Sequence, residues 1–180
     1  ASAVWPVLSP STVGSCTRPN TPTPMPTACA PVLIEGFEGG LGAFNSEVAL
    51  CEGGDCGWRP NANPHSGATS AYAPNPPLDA SDQRLVQTDP MVVPPNASMS
   101  FWHKYHIGAI GQICYDGAVL EMSLDNGANW QDAGWLIESG GYDSFVWADP
   151  PTALTGREAW CGAHDEYRQV PLDLGVLAGL

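Results

Sequence analysis

The sequence predicts an all-β fold, an antiparallel β-sandwich or jelly roll. Of the 180 residues, 20 are glycine and 18 are proline, and both residue types break the interior of helices. Short runs in which apolar and polar residues alternate are separated by clusters of Gly, Pro and Asn, a pattern typical of strands joined by turns. Hydrophobic residues make up 43% of the chain, so a core of ordinary size is expected.

Six segments predict strands. The clearest is 98–105, because a period of two places Met99, Phe101, His103 and Tyr105 on one face. The other five segments are 31–34, 85–93, 118–124, 130–137 and 167–174.

Residues 1–30 differ in composition from the rest of the chain. Threonine and proline alternate between Thr21 and Thr27, which favours extended polyproline II and cannot pack a core. The sequence therefore predicts a Thr/Pro-rich spacer or arm at 1–30 and a β domain at 31–180.

The charge balance argues against several classes of partner. The formal net charge is −13 and Lys104 is the only lysine. Binding to phosphate groups needs clusters of Lys and Arg, so neither nucleic acid nor an anionic membrane surface is an expected partner. The sequence contains no run of 18 apolar residues, so membrane insertion is not expected.

The six cysteines predict disulfides. The chain lacks the C-x-x-C pairs of metal clusters, and an even number of cysteines in a Pro-rich, Lys-poor chain favours an oxidising compartment. Six cysteines allow fifteen pairings. The preferred pairs are Cys51 with Cys56, Cys16 with Cys29, and Cys114 with Cys161.

Several motifs together resemble a known extracellular module. Phe37-Glu38 before a Gly-rich loop, followed by Cys56-Gly57-Trp58, resembles the opening of MAM domains, the jelly rolls of adhesion receptors and secreted proteases. From about residue 33 onward the chain is similar to the MAM-like, non-catalytic C-terminal module of bacterial immune-inhibitor-A-type metalloproteases. The motifs that carry this likeness lie at 65–67, 70–72, 81–86, 101–105, 114–123 and 156–162.

This resemblance implies a structural calcium ion and further strands. Calcium prefers six to eight oxygen ligands from carboxylates and carbonyls, and the resemblance implies Glu38 and Asp82 as ligands. Asp116 and Asp79 are additional candidates. The resembled modules continue beyond Leu174, so the jelly roll is expected to lack its final strands, which leaves an unpaired edge.

Ser123, Asp125, Gly127 and Trp130 match the Asp-box pattern S-x-D-x-G-x-x-W. An Asp box is a folded hairpin in which the aspartate accepts N–H groups of the turn and the glycine takes a positive φ. Sialidase propellers contain several such boxes and this chain contains one. The pattern therefore predicts a structural hairpin.

The sequence contains no catalytic motif. It lacks H-E-x-x-H and G-x-S-x-G, so we expect no enzymatic activity. Glu121 stands out because it lies among apolar residues of a predicted strand, and it needs a partner such as Arg84 or His103 if both faces are covered. Glycan hydrolysis by a carboxylate pair is the least favoured alternative.

Three of the seven tryptophans form a candidate binding surface. Trp58, Trp135 and Trp147 lie next to predicted loops, where aromatic rings can hold sugars or a protein partner.

These patterns predict a non-catalytic binding or adhesion module with a structural calcium ion, part of a larger secreted or cell-surface bacterial protein. The alternative is a structural subunit of an extracellular filament, assembled by strand exchange with residues 1–30 as donor. The expected partners are accordingly an extracellular protein, a glycan or further copies of the chain.

Overall fold

The chain folds almost entirely as β-structure. The computed structural model describes residues 9–15, 30–75, 80–147 and 151–180. Strands account for 45% of these residues and helices for 4%, and no helix among them is seven residues long or longer. The described strand pairs are all antiparallel. The prediction of an all-β antiparallel fold is confirmed.

Fourteen strands and two short 3₁₀ helices make up the described part of the chain. The 3₁₀ helices are Gly134–Leu136 and Gly175–Leu177. The strands are β1 (Ser9–Ser15), β2 (Ala30–Glu35), β3 (Phe44–Cys51), β4 (Arg59–Asn61), β5 (Ser70–Tyr72), β6 (Ser81–Gln87), β7 (Ala97–Ile107), β8 (Ala109–Ile110), β9 (Ile113–Cys114), β10 (Glu121–Met122), β11 (Gln131–Asp132), β12 (Ser144–Phe145), β13 (Glu158–Ala159) and β14 (Gly162–Asp173).

A four-stranded sheet in the order β14-β7-β1-β2 is the largest element. Its strand β7 follows the predicted alternation, since Phe101, His103 and Tyr105 are buried and Met99 packs against the core. The remaining strands form two-stranded pairs, β3 with β6, β4 with β5, β8 with β9, β10 with β11, and β12 with β13.

Strand β1 comes from the segment predicted as a spacer or arm. It is inserted between two strands, with Ser15 opposite Ala30 of β2 and opposite Ala97 of β7. Ser9–Ser15 therefore belongs to the sheet. The alternating Thr-Pro run and the predicted Cys16–Cys29 disulfide lie outside the described residues.

The main core covers one face of the sheet. Buried residues of β7 and β14, among them Val170 and Leu172, pack against the segment between the two strands, which contributes Trp160, Val146 and Leu136. The Cys114–Cys161 disulfide ties this segment to the start of β14. It is one of the pairs that the sequence favours, and Cys51–Cys56 is another.

A smaller core of Phe37, Trp58, Ala71 and Ala73 lies under the strands β3 to β6. The loop after β4 docks on the outer face of the large sheet. There the ring of His65 stacks on Trp102 at 3.8 Å between centroids, and Tyr167 Oη donates to the Asn63 carbonyl (2.5 Å).

Three predicted strands differ from the observed ones in extent. Segments 118–124 and 130–137 shrink to β10 and β11, because the Asp box between them and a 3₁₀ helix after them replace ladder pairing. Segment 85–93 overlaps β6 only to Gln87. Beyond it, Pro90, Pro94 and Pro95 lack the N–H that a ladder needs, and Val93 instead bonds to the C-terminal residues Gly179 and Leu180.

Within the described residues, no helix combines the length and the apolar character that crossing a membrane would require.

Candidate functional site

The structure separates the three tryptophans of the predicted platform. Trp58 is only 9% exposed and packs in the smaller core, where its main-chain N–H donates to Ser46 Oγ (2.7 Å) and its indole Nε1 is buried without a partner among the described residues. The expectation that Trp58 lies on a surface is corrected, because the residue directly before β4 belongs to the same buried cluster as Phe37. Trp135 and Trp147 are 62% and 57% exposed.

Trp147 lies at a shallow groove that has no charged lining residue. The groove has a volume of about 420 Å³, and we call it the Trp147 groove. Its lining residues are Gln112, Ile113, Tyr115, Ser144, Phe145 and Trp147.

Local alternation explains why large apolar side chains face solvent here. Val146 is buried in the main core, so its neighbours Phe145 and Trp147 point to the opposite side of the extended chain. Ile110 and Ile113 face each other across the β8–β9 hairpin and are both exposed. The result is a continuous apolar surface without a charged lining residue.

Hydrogen bonds to main-chain carbonyls and a ring contact hold the two walls of the Trp147 groove together. The Trp147 N–H donates to the Cys114 carbonyl (2.7 Å), and Ser144 Oγ donates to the Gln112 carbonyl (3.1 Å). The rings of Tyr115 and Trp147 meet edge to face, with centroids 5.9 Å apart. Since Cys114 is also fixed by its disulfide to Cys161, the groove is built on a braced frame.

Sequence reasoning identified Trp147 but missed the other lining residues. Ile113 and Phe145 lie on two-residue strands, which are too short for a period of two to reveal the exposed side. The only available signal was the density of large apolar residues between two cysteines of one predicted disulfide.

The carboxylates implied as calcium ligands have different partners. Glu38 Oε1 accepts the N–H groups of Ala68 (2.8 Å) and Thr69 (3.5 Å). Asp82 forms a two-point ion pair with Arg84, at 3.0 and 2.7 Å. Both side chains are therefore already engaged.

Asp116 is the third implied ligand, and its Oδ2 atom is buried without a hydrogen-bond partner among the described residues. Burial raises the pKa of this carboxyl. No group of three His, Cys, Asp or Glu side chains within the described residues is arranged to hold a metal ion. The three carboxylates thus do not converge on one site, and Asp79 lies outside the described part of the chain.

A polar cluster that the sequence did not reveal lies where β7 meets β14. Asp143 Oδ2 accepts from Tyr105 Oη (2.6 Å) and from the Cys161 N–H (2.9 Å). Arg168 donates to Tyr105 Oη, and its Nε donates to His103 Nε2 (3.1 Å). Burial and the hydrogen bond to Asp143 raise the pKa of Tyr105, so the cluster holds a neutral phenol.

His103 is fully buried in this cluster. Burial, reinforced by the charges of Arg168 and His164, lowers the pKa of His103 to about 3. The imidazole is therefore neutral at physiological pH and accepts the Arg168 hydrogen bond, as expected of a core histidine.

Glu121 has a partner that the sequence did not suggest. Arg157 bridges Glu121 (2.7 Å) and Asp132 (2.8 Å), whereas Arg84 pairs with Asp82 and His103 with Arg168. One guanidinium thus joins the two carboxylates in an internal ion-pair network.

The Asp box forms the expected hairpin between β10 and β11. Asp125 accepts the Asn129 N–H (2.8 Å) and the Asn129 amide (2.6 Å), Ser123 Oγ accepts the Gly127 N–H (2.7 Å), and Gly127 has a φ of +83°. The polar side chains of the box form hydrogen bonds within the box itself, as expected of a structural hairpin.

No family model, curated protein or solved structure matches the chain. The resemblance to MAM-like modules accordingly remains a prediction from the sequence.

Proposed function

We propose that the chain is a non-catalytic, secreted binding or adhesion module of the β-sandwich class, and that the Trp147 groove is its binding face. The observation that carries the proposal is the exposure of Phe145 (60%) and Trp147 (57%) beside Ile110 and Ile113. A contiguous apolar surface is costly in water and commonly marks a site of interaction.

The frame of the groove supports binding rather than accidental exposure. A disulfide and two hydrogen bonds fix its walls, so little conformational entropy is lost when a ligand binds. Two disulfides also suit an oxidising compartment outside the cell.

The ion pairs support a non-catalytic role. Among the described acids near the main core, Glu121, Asp132 and Asp143 are held by Arg157, Arg168 and Tyr105. A general acid or base needs a titratable group that can reach substrate, and these carboxylates are engaged in internal contacts.

The test is adhesion of beads coated with the chain to intact bacterial, yeast and red blood cells. Trp147→Ala and Phe145→Ala should each reduce attachment about tenfold or more, as expected for truncation of a central binding residue. Trp135→Ala is the matched control, because Trp135 is equally exposed but does not line the groove. Attachment that is insensitive to both groove variants contradicts the proposal, as does an absence of attachment to any of these cells.

The calcium ion implied by the resemblance also remains a proposal. If the fold depends on it, a chelator lowers the unfolding temperature and added calcium restores it. Glu38→Gln, Asp82→Asn and Asp116→Asn then identify which carboxylate binds the ion. An unfolding temperature that is the same in calcium and in chelator contradicts the proposal.

The filament subunit is a second candidate, favoured by one observation. Strand β1 of the N-terminal arm is inserted between β2 and β7, the position that a strand donated by another copy would occupy. Light scattering distinguishes the two functions, because the binding module is expected to be a monomer and the filament subunit an ordered assembly.

A further inference from the structure

We infer that the ligand of the Trp147 groove is a neutral polysaccharide, built from sugars without carboxylate, sulfate or phosphate groups. This inference rests on the proposed function and specifies the chemical class of the ligand. Three features carry it: the lining of the groove, its size, and the state of the basic side chains.

The lining suits the surface of a sugar. Tyr115, Phe145 and Trp147 offer aromatic rings, which pack against the C–H face that a pyranose ring presents. Gln112 and Ser144 add an amide and a hydroxyl at the same groove. The amide can donate to and accept from sugar hydroxyls, and Ser144 Oγ, which donates to the Gln112 carbonyl, can accept from them. Aromatic walls with a few polar groups are the usual composition of a small-ligand site.

The size of the groove favours a segment of a narrow chain over a protein surface. Its volume of about 420 Å³ falls within the range of small-ligand sites, roughly 300–1,000 Å³. A stable protein interface buries about 800 Å² on each partner, much more than six lining residues supply. A few sugar units of a polysaccharide match the groove better.

The basic side chains offer an acidic ligand no partner at the groove. Each described arginine is paired with an acid of the chain itself, and Lys104 bonds to Asn63 (3.1 Å) and lies over the ring of Tyr167 (4.8 Å). The arginine pairs are Arg59–Asp55, Arg84–Asp82, Arg157–Glu121 and Arg168–Asp143. Hence the described arginines all have acidic partners, neither they nor Lys104 line the groove, and the net charge of −13 repels polyanions.

The test compares hexasaccharides by isothermal titration calorimetry. The neutral probes are cellohexaose, maltohexaose and mannohexaose, and the acidic probes are hexagalacturonic acid and a hyaluronan hexasaccharide. We expect at least one neutral probe to bind with an affinity that changes less than twofold between 50 and 500 mM salt, because no ion pair contributes. We expect no binding of the acidic probes.

Variants locate the binding. Trp147→Ala should weaken binding of the neutral probe at least tenfold and Gln112→Ala several-fold, whereas Trp135→Ala should leave it unchanged. These side chains are exposed, so all three variants should unfold at the wild-type temperature. A loss of affinity then reflects a lost contact with the ligand and not a change in the fold.

Three outcomes overturn the inference, and they distinguish its failure from that of the proposed function. Preference for an acidic probe, or cell adhesion that needs Trp147 without any hexasaccharide binding, overturns the neutral-glycan inference and leaves a binding module with another ligand. Cell adhesion that does not depend on the groove overturns both.

Discussion

At the residue scale, three polar side-chain atoms are buried without a hydrogen-bond partner in the described structure: Trp58 Nε1, His103 Nδ1 and Asp116 Oδ2. Because Arg168 Nε donates to His103 Nε2, the neutral imidazole carries its proton on Nδ1, and that N–H is the unpaired donor. Groups of this kind cost stability, and two of the three residues, His103 and Asp116, titrate. Each therefore gives a prediction about pH.

His103 should make the fold sensitive to acid. The pKa of His103 is about 3 in the folded chain and 6.5 in a model peptide. Between pH 3 and pH 6.5, the unfolded chain therefore binds a proton that the folded chain does not bind. Stability is full above pH 6.5 and falls toward pH 3, with a slope of up to about 1.4 kcal/mol per pH unit.

His103→Gln tests this prediction, because the glutamine oxygen can accept from Arg168 but does not titrate. Denaturant unfolding at several pH values should show a shallower loss of stability between pH 6.5 and 3 in the variant than in the wild type. Parallel pH profiles would show that His103 is not the acid-sensitive group.

Asp116 should destabilise the fold near neutral pH. Its pKa is raised by burial from an ordinary value of 3.8, so the penalty for its charge is absent below pH 3.8, develops as pH rises from 3.8 to the folded pKa, and stays constant above it. Asp116→Asn should raise the free energy of unfolding by about 1 kcal/mol at pH 7, measured in chelator. The gain should vanish at pH 3, and a variant less stable than the wild type at pH 7 contradicts this account.

At the element scale, periodicity predicted long strands well and short ones poorly. Strand β7 shows the predicted face because eleven residues repeat the alternation. The two-residue strands β8 to β13 are set by turns, by the Asp box and by contacts with distant segments. No local pattern encodes those contacts, which is why the walls of the Trp147 groove could not be predicted.

Glu35, which the sequence did not single out, organises the loop between β2 and β3. Its carboxylate accepts the N–H groups of Phe37 (2.6 Å) and Ala43 (2.8 Å). Phe37 has a φ of +61°, an unfavourable conformation for a bulky residue, and it is a member of the smaller core. The loop is thus held in a strained shape by one side chain.

Glu35→Ala should cost about 2 kcal/mol, because two main-chain donors to a charged acceptor lose their partner. Chemical denaturation measures the loss, and Glu166→Ala on the exposed side of β14 is the control, with an expected change below about 0.5 kcal/mol. Equal effects of the two variants would show that the loop does not depend on Glu35.

At the scale of the whole molecule, composition predicted the fold class and the cysteines predicted the cross-links. Gly and Pro content excluded long helices, and the structure contains two of the preferred disulfides. The positions of candidate functional side chains could be predicted less well from the sequence. Trp58 turned out to be buried because the smaller core forms from residues far apart in sequence.

The two disulfides should differ in their effect on stability. Cys114–Cys161 closes a loop with a sequence separation of 47 and Cys51–Cys56 one of 5. The loss of chain entropy in the unfolded state corresponds to about 4 kcal/mol for the longer loop and about 2 kcal/mol for the shorter. Replacing each pair by alanines and measuring unfolding temperatures should rank them in this order, and the reverse order contradicts the prediction.

The most direct test of the Trp147 groove as the binding face is a ¹H–¹⁵N spectrum of the tryptophan indole N–H groups during titration with the neutral hexasaccharides. The account predicts that one of these sugars shifts the Trp147 resonance progressively while the Trp135 resonance stays in place. A shift at Trp135 with none at Trp147, or spectra unchanged by every sugar, would contradict it.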